Sequence, residues 1–216
     1  MSTQYAFYGL LLIIVSIIGV VRYKRLTTPF KILSVLIFLT LLLETLSKVC
    51  AIKYKNNIPV AHVTGIIEYL FYSLIYYFLF KNKLTRASIL VALLIFIVLS
   101  VINSIFIQPY YSDFPSNMVI PSEIAYTIFS LLLFKQMLLY PLPVNIVKQG
   151  IFWFNTAILF FSTTMFFNLG LTNYYIKHHL NDLVIFDFNF GINMIFYLLI
   201  GTSMLMDKKE TTRNNV

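Results

Sequence analysis

Three glutamates set inside long apolar runs are the residues of this 216-residue chain best placed to do chemistry: Glu44 in LTLLLETLSKV, Glu68 in HVTGIIEYLFYSLIYYF, and Glu123 in VIPSEIAYTIF. An ionised carboxylate facing acyl chains at mid-membrane costs about 2.5–3.5 kcal/mol on insertion scales, so such a group must pair, carry a proton or meet a ligand. Spacing supplies candidate partners. Lys48 follows Glu44 by four residues, the favourable order for an ion pair on one helix, and that pair has a structural and a functional reading. Glu68 has no cation within its own run, so either Lys48 or His62 serves it or the carboxyl keeps its proton. At 100° per residue Gly65, Glu68, Tyr69, Tyr72 and Tyr76 share one stripe. Thr40, Glu44, Ser47 and Lys48 share another, as do Glu123, Tyr126, Thr127 and Ser130, and Asn189, Asn193 and Tyr197. The expected ligand or ion pocket is Glu44, Lys48, His62, Glu68, Tyr72, Asn103, Glu123 and Asn193.

Other chemistries find less support. His62 precedes Glu68 by six residues, off its face, so the two are no metal pair, and His62 reads as an interfacial hydrogen-bonding residue. In KHHLND the adjacent His178 and His179 point about 100° apart on a helix, and Asp182 is joined by no third imidazole, which suits a solvated loop better than a metal. Nucleophile–histidine–acid, glycine-rich phosphate and cysteine–zinc signatures are missing, so no catalytic residue, metal or cofactor is expected. Most tyrosines read as packing with a satisfied hydroxyl, and Gly65 and Gly191 as points of close helix approach.

The elements that must position these groups are membrane helices. Charged residues make up 11% of the chain and mean hydropathy is +0.83, too apolar for a water-facing globule. Runs of about 20 apolar residues, the length a hydrocarbon core demands, fall at 5–21, 30–48, 60–80, 87–107, 122–139, 151–169 and 184–206. Lipid satisfies no backbone groups and no alternating pattern suggests a barrel, so an all-α bundle of seven spans is predicted, one domain over 1–206 with a short tail, 207–216. The single cysteine, Cys50, rules out an intrachain disulfide.

The net charge of +8 raises nucleic acid as a partner, but its distribution answers otherwise. Arg22, Lys24, Arg25, Lys31, Lys81, Lys83, Arg86, Lys135, Lys148, Lys208, Lys209 and Arg213 fall on one side, and only Lys48, Lys53, Lys55 and Lys177 on the other. That asymmetry is positive-inside sorting, with the amino terminus outside and the carboxy terminus cytoplasmic. By helical rise Glu44 then lies roughly 9 Å below the outer end of its span and Glu68 roughly 12 Å, which points to a polar pocket entered from outside. A gapped match between GIIEYLFYSLI and GINMIFYLLI suggests two parallel three-helix halves joined by the fourth helix.

Known seven-helix families do not account for the residues. The last span has no lysine for a retinal Schiff base and no proline for a receptor-type Asn-Pro motif, and the third ends in YFLFKNK rather than an acidic-Arg-aromatic triplet. The Pro-Gln pair of two-half sugar transporters is missing as well. NNIPVAHVTGIIEYLFYSLIYY and IFWFNTAILFFSTTMFFNLG resemble segments of small seven-helix inner-membrane proteins of Bacteroidota-type bacteria, a group without an assigned activity. Pro59, His62, Glu68, Trp153 and Asn155 are the matching residues, and the resemblance implies a multi-pass protein of a bacterial inner membrane. The leading expectation is a sensor or ligand-binding module, taking a small molecule from the outer side and signalling through a cytoplasmic or membrane partner. A proton- or cation-coupled transporter of small solutes is the alternative, and a membrane enzyme acting on lipid head groups stands third. Membrane lipid is an expected partner and nucleic acid is not.

Overall fold

Apolar runs bounded by prolines, glycines and charged turns fold as helices because no other secondary structure satisfies its own backbone in lipid. The computed structural model describes residues 3–141, 145–177 and 182–208, with side chains for all of these but 3, 169–177 and 182–186. Among the described residues there are seven long helices and no strand. They are α1 (Thr3–Arg22), α2 (Thr28–Tyr54), α3 (Ile58–Leu79), α4 (Lys83–Ile102), α5 (Ser116–Leu139), α6 (Gly150–Lys177) and α7 (Asp182–Met206). Each is long and apolar enough to cross a membrane. Pro29 and Pro59 open α2 and α3 where a missing amide costs nothing, and Lys55 closes α2 in the left-handed conformation at φ 56°. Asn82 caps α4, its side chain accepting from the Leu84 amide at 2.8 Å. The last turn of α4 widens into π geometry over Asn103–Ile107.

Neighbouring helices make a ring in the order α1, α2, α3, α5, α6, α7, closed by α1 against α7, with α4 packed outside against α3 and α5. Sequential helices pack against one another within α1–α3 and within α5–α7. The ring is filled near the face where the chain ends. There Phe30, Tyr76, Phe154, Leu133 and Ile200 are buried, with Phe154 edge-on to Phe30 and 5.7 Å from the Tyr76 ring. Large side chains on the outer flank are bare: Val21 is 76% exposed, Phe106 77% and Leu138 74%. An apolar band this extensive is not stable against water, and lipid is the solvent that suits it.

Close helix approach occurs, but not at the expected glycines. A Cβ on Gly65 or Gly191 would meet open space. The tight positions are Gly19, where a Cβ would fall 2.6 Å from Ser34 Oγ, and Gly150, where it would fall 2.6 Å from the Ser203 carbonyl. The Gly150 contact brings the start of α6 onto the backbone at the end of α7, next to Asp207.

Asp207 lies outside the spans and fastens that end. Its carboxyl accepts from the Thr27 amide at 2.8 Å and from Thr27 Oγ1 at 3.2 Å, while Arg22 donates to the Met204 and Asp207 carbonyls. A carboxyl from one end of the chain thus caps α2 near the other. Asp207→Ala leaves both Thr27 donors without that acceptor and is expected to cost about 1–2 kcal/mol of stability. Burial pushes the Asp207 carboxyl above its ordinary value, against the pull of the Thr27 hydrogen bonds and the Arg22 charge. The folded state therefore favours the protonated acid. Its stabilising share is full below the ordinary carboxylate range and is lost as pH rises through the raised value. Melting of the parent chain against Asp207→Asn, upward from about pH 4, should show the parent losing stability relative to the variant.

Candidate functional site

Helix α2 runs to Tyr54 and α3 begins at Ile58, so Glu44 and Glu68 each lie ten residues from the amino-terminal face. At 1.5 Å per residue both are about 15 Å deep, deeper than the apolar runs alone suggested. The runs end where polar residues begin, but both helices continue through those residues.

Glu68 on α3 is within electrostatic range of Glu44 on α2 and of Glu123 on α5. Five tyrosines complete the cluster. Tyr8 on α1 donates to Glu44 Oε1 at 3.2 Å, and its ring meets that of Tyr197 on α7 edge-on at 5.7 Å. Tyr72 and Tyr126 meet edge-on at 5.2 Å, and both are within electrostatic reach of Glu68 and Glu123. Tyr69 packs at 5.6 Å against Tyr126 and stacks at 3.8 Å on Phe96 of α4. Tyr72 and Tyr197, which coincide in the gapped match between α3 and α7, come within interaction range of each other here.

The cluster is a crevice rather than a sealed core. Glu44 is exposed and Glu68 half-buried, so the cluster opens on one side. Glu123 is only 6% exposed, and its Oε2 is fully buried with no hydrogen-bond partner. No described protein group donates to the Glu68 carboxyl, and no Lys, Arg or His pairs with any of the three acids. An orphaned buried acceptor is costly to the fold. Among the described residues no set of three or more Asp, Glu, His or Cys is arranged to hold a metal ion.

The remaining expected pocket residues lie elsewhere. Lys48 makes no ion pair with Glu44. Its ammonium sits 5.5 Å from the Tyr5 ring centroid, while Glu44 turns toward Tyr8. His62 is a clamp for the α4–α5 connection: Nε2 donates to the Asp113 carbonyl at 2.9 Å, Nδ1 meets Ser104 Oγ at 2.7 Å, and the ring lies 5.3 Å from Tyr110. Asn103 serves the same connection, donating to Gln108 Oε1 at 3.0 Å and accepting from Asn117 at 3.4 Å. Both bond the α4–α5 connection instead of the acids, His62 from α3 and Asn103 from the end of α4. Asn193 bonds back to the Asn189 carbonyl of its own helix at 2.8 Å. His178 and His179 fall outside the described residues, as does the side chain of Asp182.

Toward the opposite face, the polar groups close on themselves. Tyr76 meets Ser130 Oγ at 2.6 Å and donates to Asn155 Oδ1 at 3.0 Å, while Asn155 Nδ2 donates to the Ser130 carbonyl at 2.9 Å. This node ties α3, α5 and α6 together beneath the crevice, and Asn155 has no exposed surface. Tyr8 is not legible in the sequence because α1 carries no acid to single out its hydroxyls. Compared with known protein families, with curated proteins and with solved structures, the chain matches none, so its chemistry is read from its own geometry.

Proposed function

We propose that the acid–tyrosine crevice binds a small organic cation and that the protein is a sensor or binding module of a cell membrane, a bacterial inner membrane by composition and resemblance. The amino terminus lies outside and the carboxy terminus in the cytoplasm, as the distribution of Lys and Arg supports. The ligand then enters from the outer side. The observation that carries the reading is Glu123 Oε2, buried without a partner beside Glu68, in a cluster that contains no cationic side chain. Two like charges in such a setting repel. An ammonium about 4 Å from either gains about 4 kcal/mol of Coulomb attraction at an effective dielectric near 20.

The chemistry of the walls narrows the cation. The carboxyls are not set as a metal's ligands, whereas the packed rings of Tyr69, Tyr72 and Tyr126 offer faces and apolar edges to an alkylammonium. Ligand arrival would draw α1, α2, α3, α5 and α7 together through their acids and hydroxyls. A partner protein must read that change, because the cytoplasmic turns are short. Melting of the purified chain in detergent, with a series of primary amines, diamines and quaternary ammonium ions, tests the reading. A ligand at a hundred times its Kd adds about 2.7 kcal/mol of stability. If no amine raises the melting temperature beyond the matching sodium salt, the reading fails.

One observation favours a second reading, a proton- or cation-coupled transporter. Tyr72 and Tyr76 follow each other by one turn of α3, so hydroxyls continue from the cluster to the Ser130–Asn155 node. Amine uptake into liposomes driven by a pH gradient would favour transport, and binding without uptake would favour the sensor.

A further inference from the structure

On the opposite face a second site has the inverse charge. Between the α3–α4 turn and the end of α5 runs a groove of about 630 Å³, whose polar lining includes Lys81, Asn82, Thr85, Lys135 and Gln136. Beside it, sharing Lys81, Gln136 and Tyr140, lies a recess of about 250 Å³ walled by apolar side chains such as Leu79, Leu133 and Ile151. Gln136 holds the turn in shape, accepting from the Lys81 amide at 2.8 Å and donating to the Leu79 carbonyl at 3.0 Å. The Lys81 ammonium sits 5.5 Å from the Tyr140 ring centroid, and Lys135 is exposed with no polar partner among the described residues. The chain contains no Asp or Glu from residue 69 to 112 or from 124 to 181, so neither wall of the groove carries a neutralising acid. The amino-terminal end of α4 adds its partial positive charge at the same place.

We propose that this groove holds the phosphate of an anionic phospholipid, with Lys81 and Lys135 on the head group and the acyl chains along the exposed Leu132 and Leu139. The occupant is a lipid rather than a soluble anion because one wall is polar and cationic while the flank is apolar at the level of a membrane interface. Phosphate bound alone would leave that flank against water. Basic recesses between helices on the cationic side of a membrane protein suit such head groups. The site is independent of the acid–tyrosine crevice and stands or falls separately.

The test uses the full chain in nanodiscs of phosphatidylcholine with phosphatidylglycerol as the minor lipid, extracted gently and weighed with its bound lipid by native mass spectrometry. The parent should retain phosphatidylglycerol over phosphatidylcholine, and Lys81→Gln with Lys135→Gln should lower that preference about tenfold. Lys81→Arg with Lys135→Arg should keep it, which separates lost charge from lost folding. Lys53→Gln with Lys55→Gln, removing the same charge from the other face, should leave the preference unchanged. The proposal is overturned if the Gln pair at 81 and 135 retains the parent preference, or if the pair at 53 and 55 lowers it equally. It is overturned also if millimolar inorganic phosphate displaces the lipid, because the groove would then be a site for free phosphate.

Discussion

Glu68→Gln removes amine-dependent stabilisation while leaving the helical content of the protein unchanged. The glutamine keeps the size of the side chain and removes only its charge, so a change in ligand response reports electrostatics rather than shape. Glu68 is the acid within electrostatic range of both others, and no described group donates to its carboxyl. An ammonium seated between the acids makes its closest contact there. Losing one member of a buried charge pair costs about 2–5 kcal/mol, which raises Kd roughly thirtyfold or more. Glu44→Gln should have a smaller effect, because Glu44 already accepts from Tyr8 and retains more exposure. Titration calorimetry or melting with the best amine ranks the three acids. An amine whose Kd is the same in Glu68→Gln and the parent removes Glu68 from the site, and with it the claim that the acids act together.

The sequence made the seven spans and the acid-bearing faces legible for two physical reasons. Lipid forces each crossing into a long apolar run, and a helix shows a buried polar face at a fixed angular period. Glu68, Tyr72 and Tyr76 on α3, with Glu123 and Tyr126 on α5, can be read that way, and in the structure these two faces meet. What periodicity within one helix does not carry is the identity of the neighbour a face meets. The sequence groups His62 and Asn103 with the acids in one pocket, yet both pin the α4–α5 connection. Glu44 and Lys48 have ideal spacing for a pair, but a tyrosine on another helix captures the carboxyl. The second apolar run stops short of its helix for a related reason. Lys53 and Tyr54 are polar enough to end an apolar run, but a helix propagates through them at little cost.

Glu123 should behave in the opposite sense to an ordinary buried polar residue. Replacing it with methionine, of similar length and no charge, removes an acceptor that is buried without a partner and puts apolar atoms in its place. The ligand-free protein is expected to gain about 1–3 kcal/mol of stability. Asn155→Leu, an equally apolar swap at an equally buried position, should lose about 2 kcal/mol or more. It takes from the Tyr76 hydroxyl one of its two partners and from the Ser130 carbonyl its side-chain donor. The difference in sign between two such similar substitutions separates a polar group kept for the fold from one kept against it. Denaturant melting of the two variants in the same detergent reads the signs directly. Glu123→Met should also fail to respond to amines, so the gained stability and the lost binding should occur in one variant, as expected where a site stores an unfavourable charge for its ligand. If Glu123→Met destabilises the chain as much as Asn155→Leu, then Oε2 has a partner in the folded protein, and the crevice is a structural network instead of a cation site.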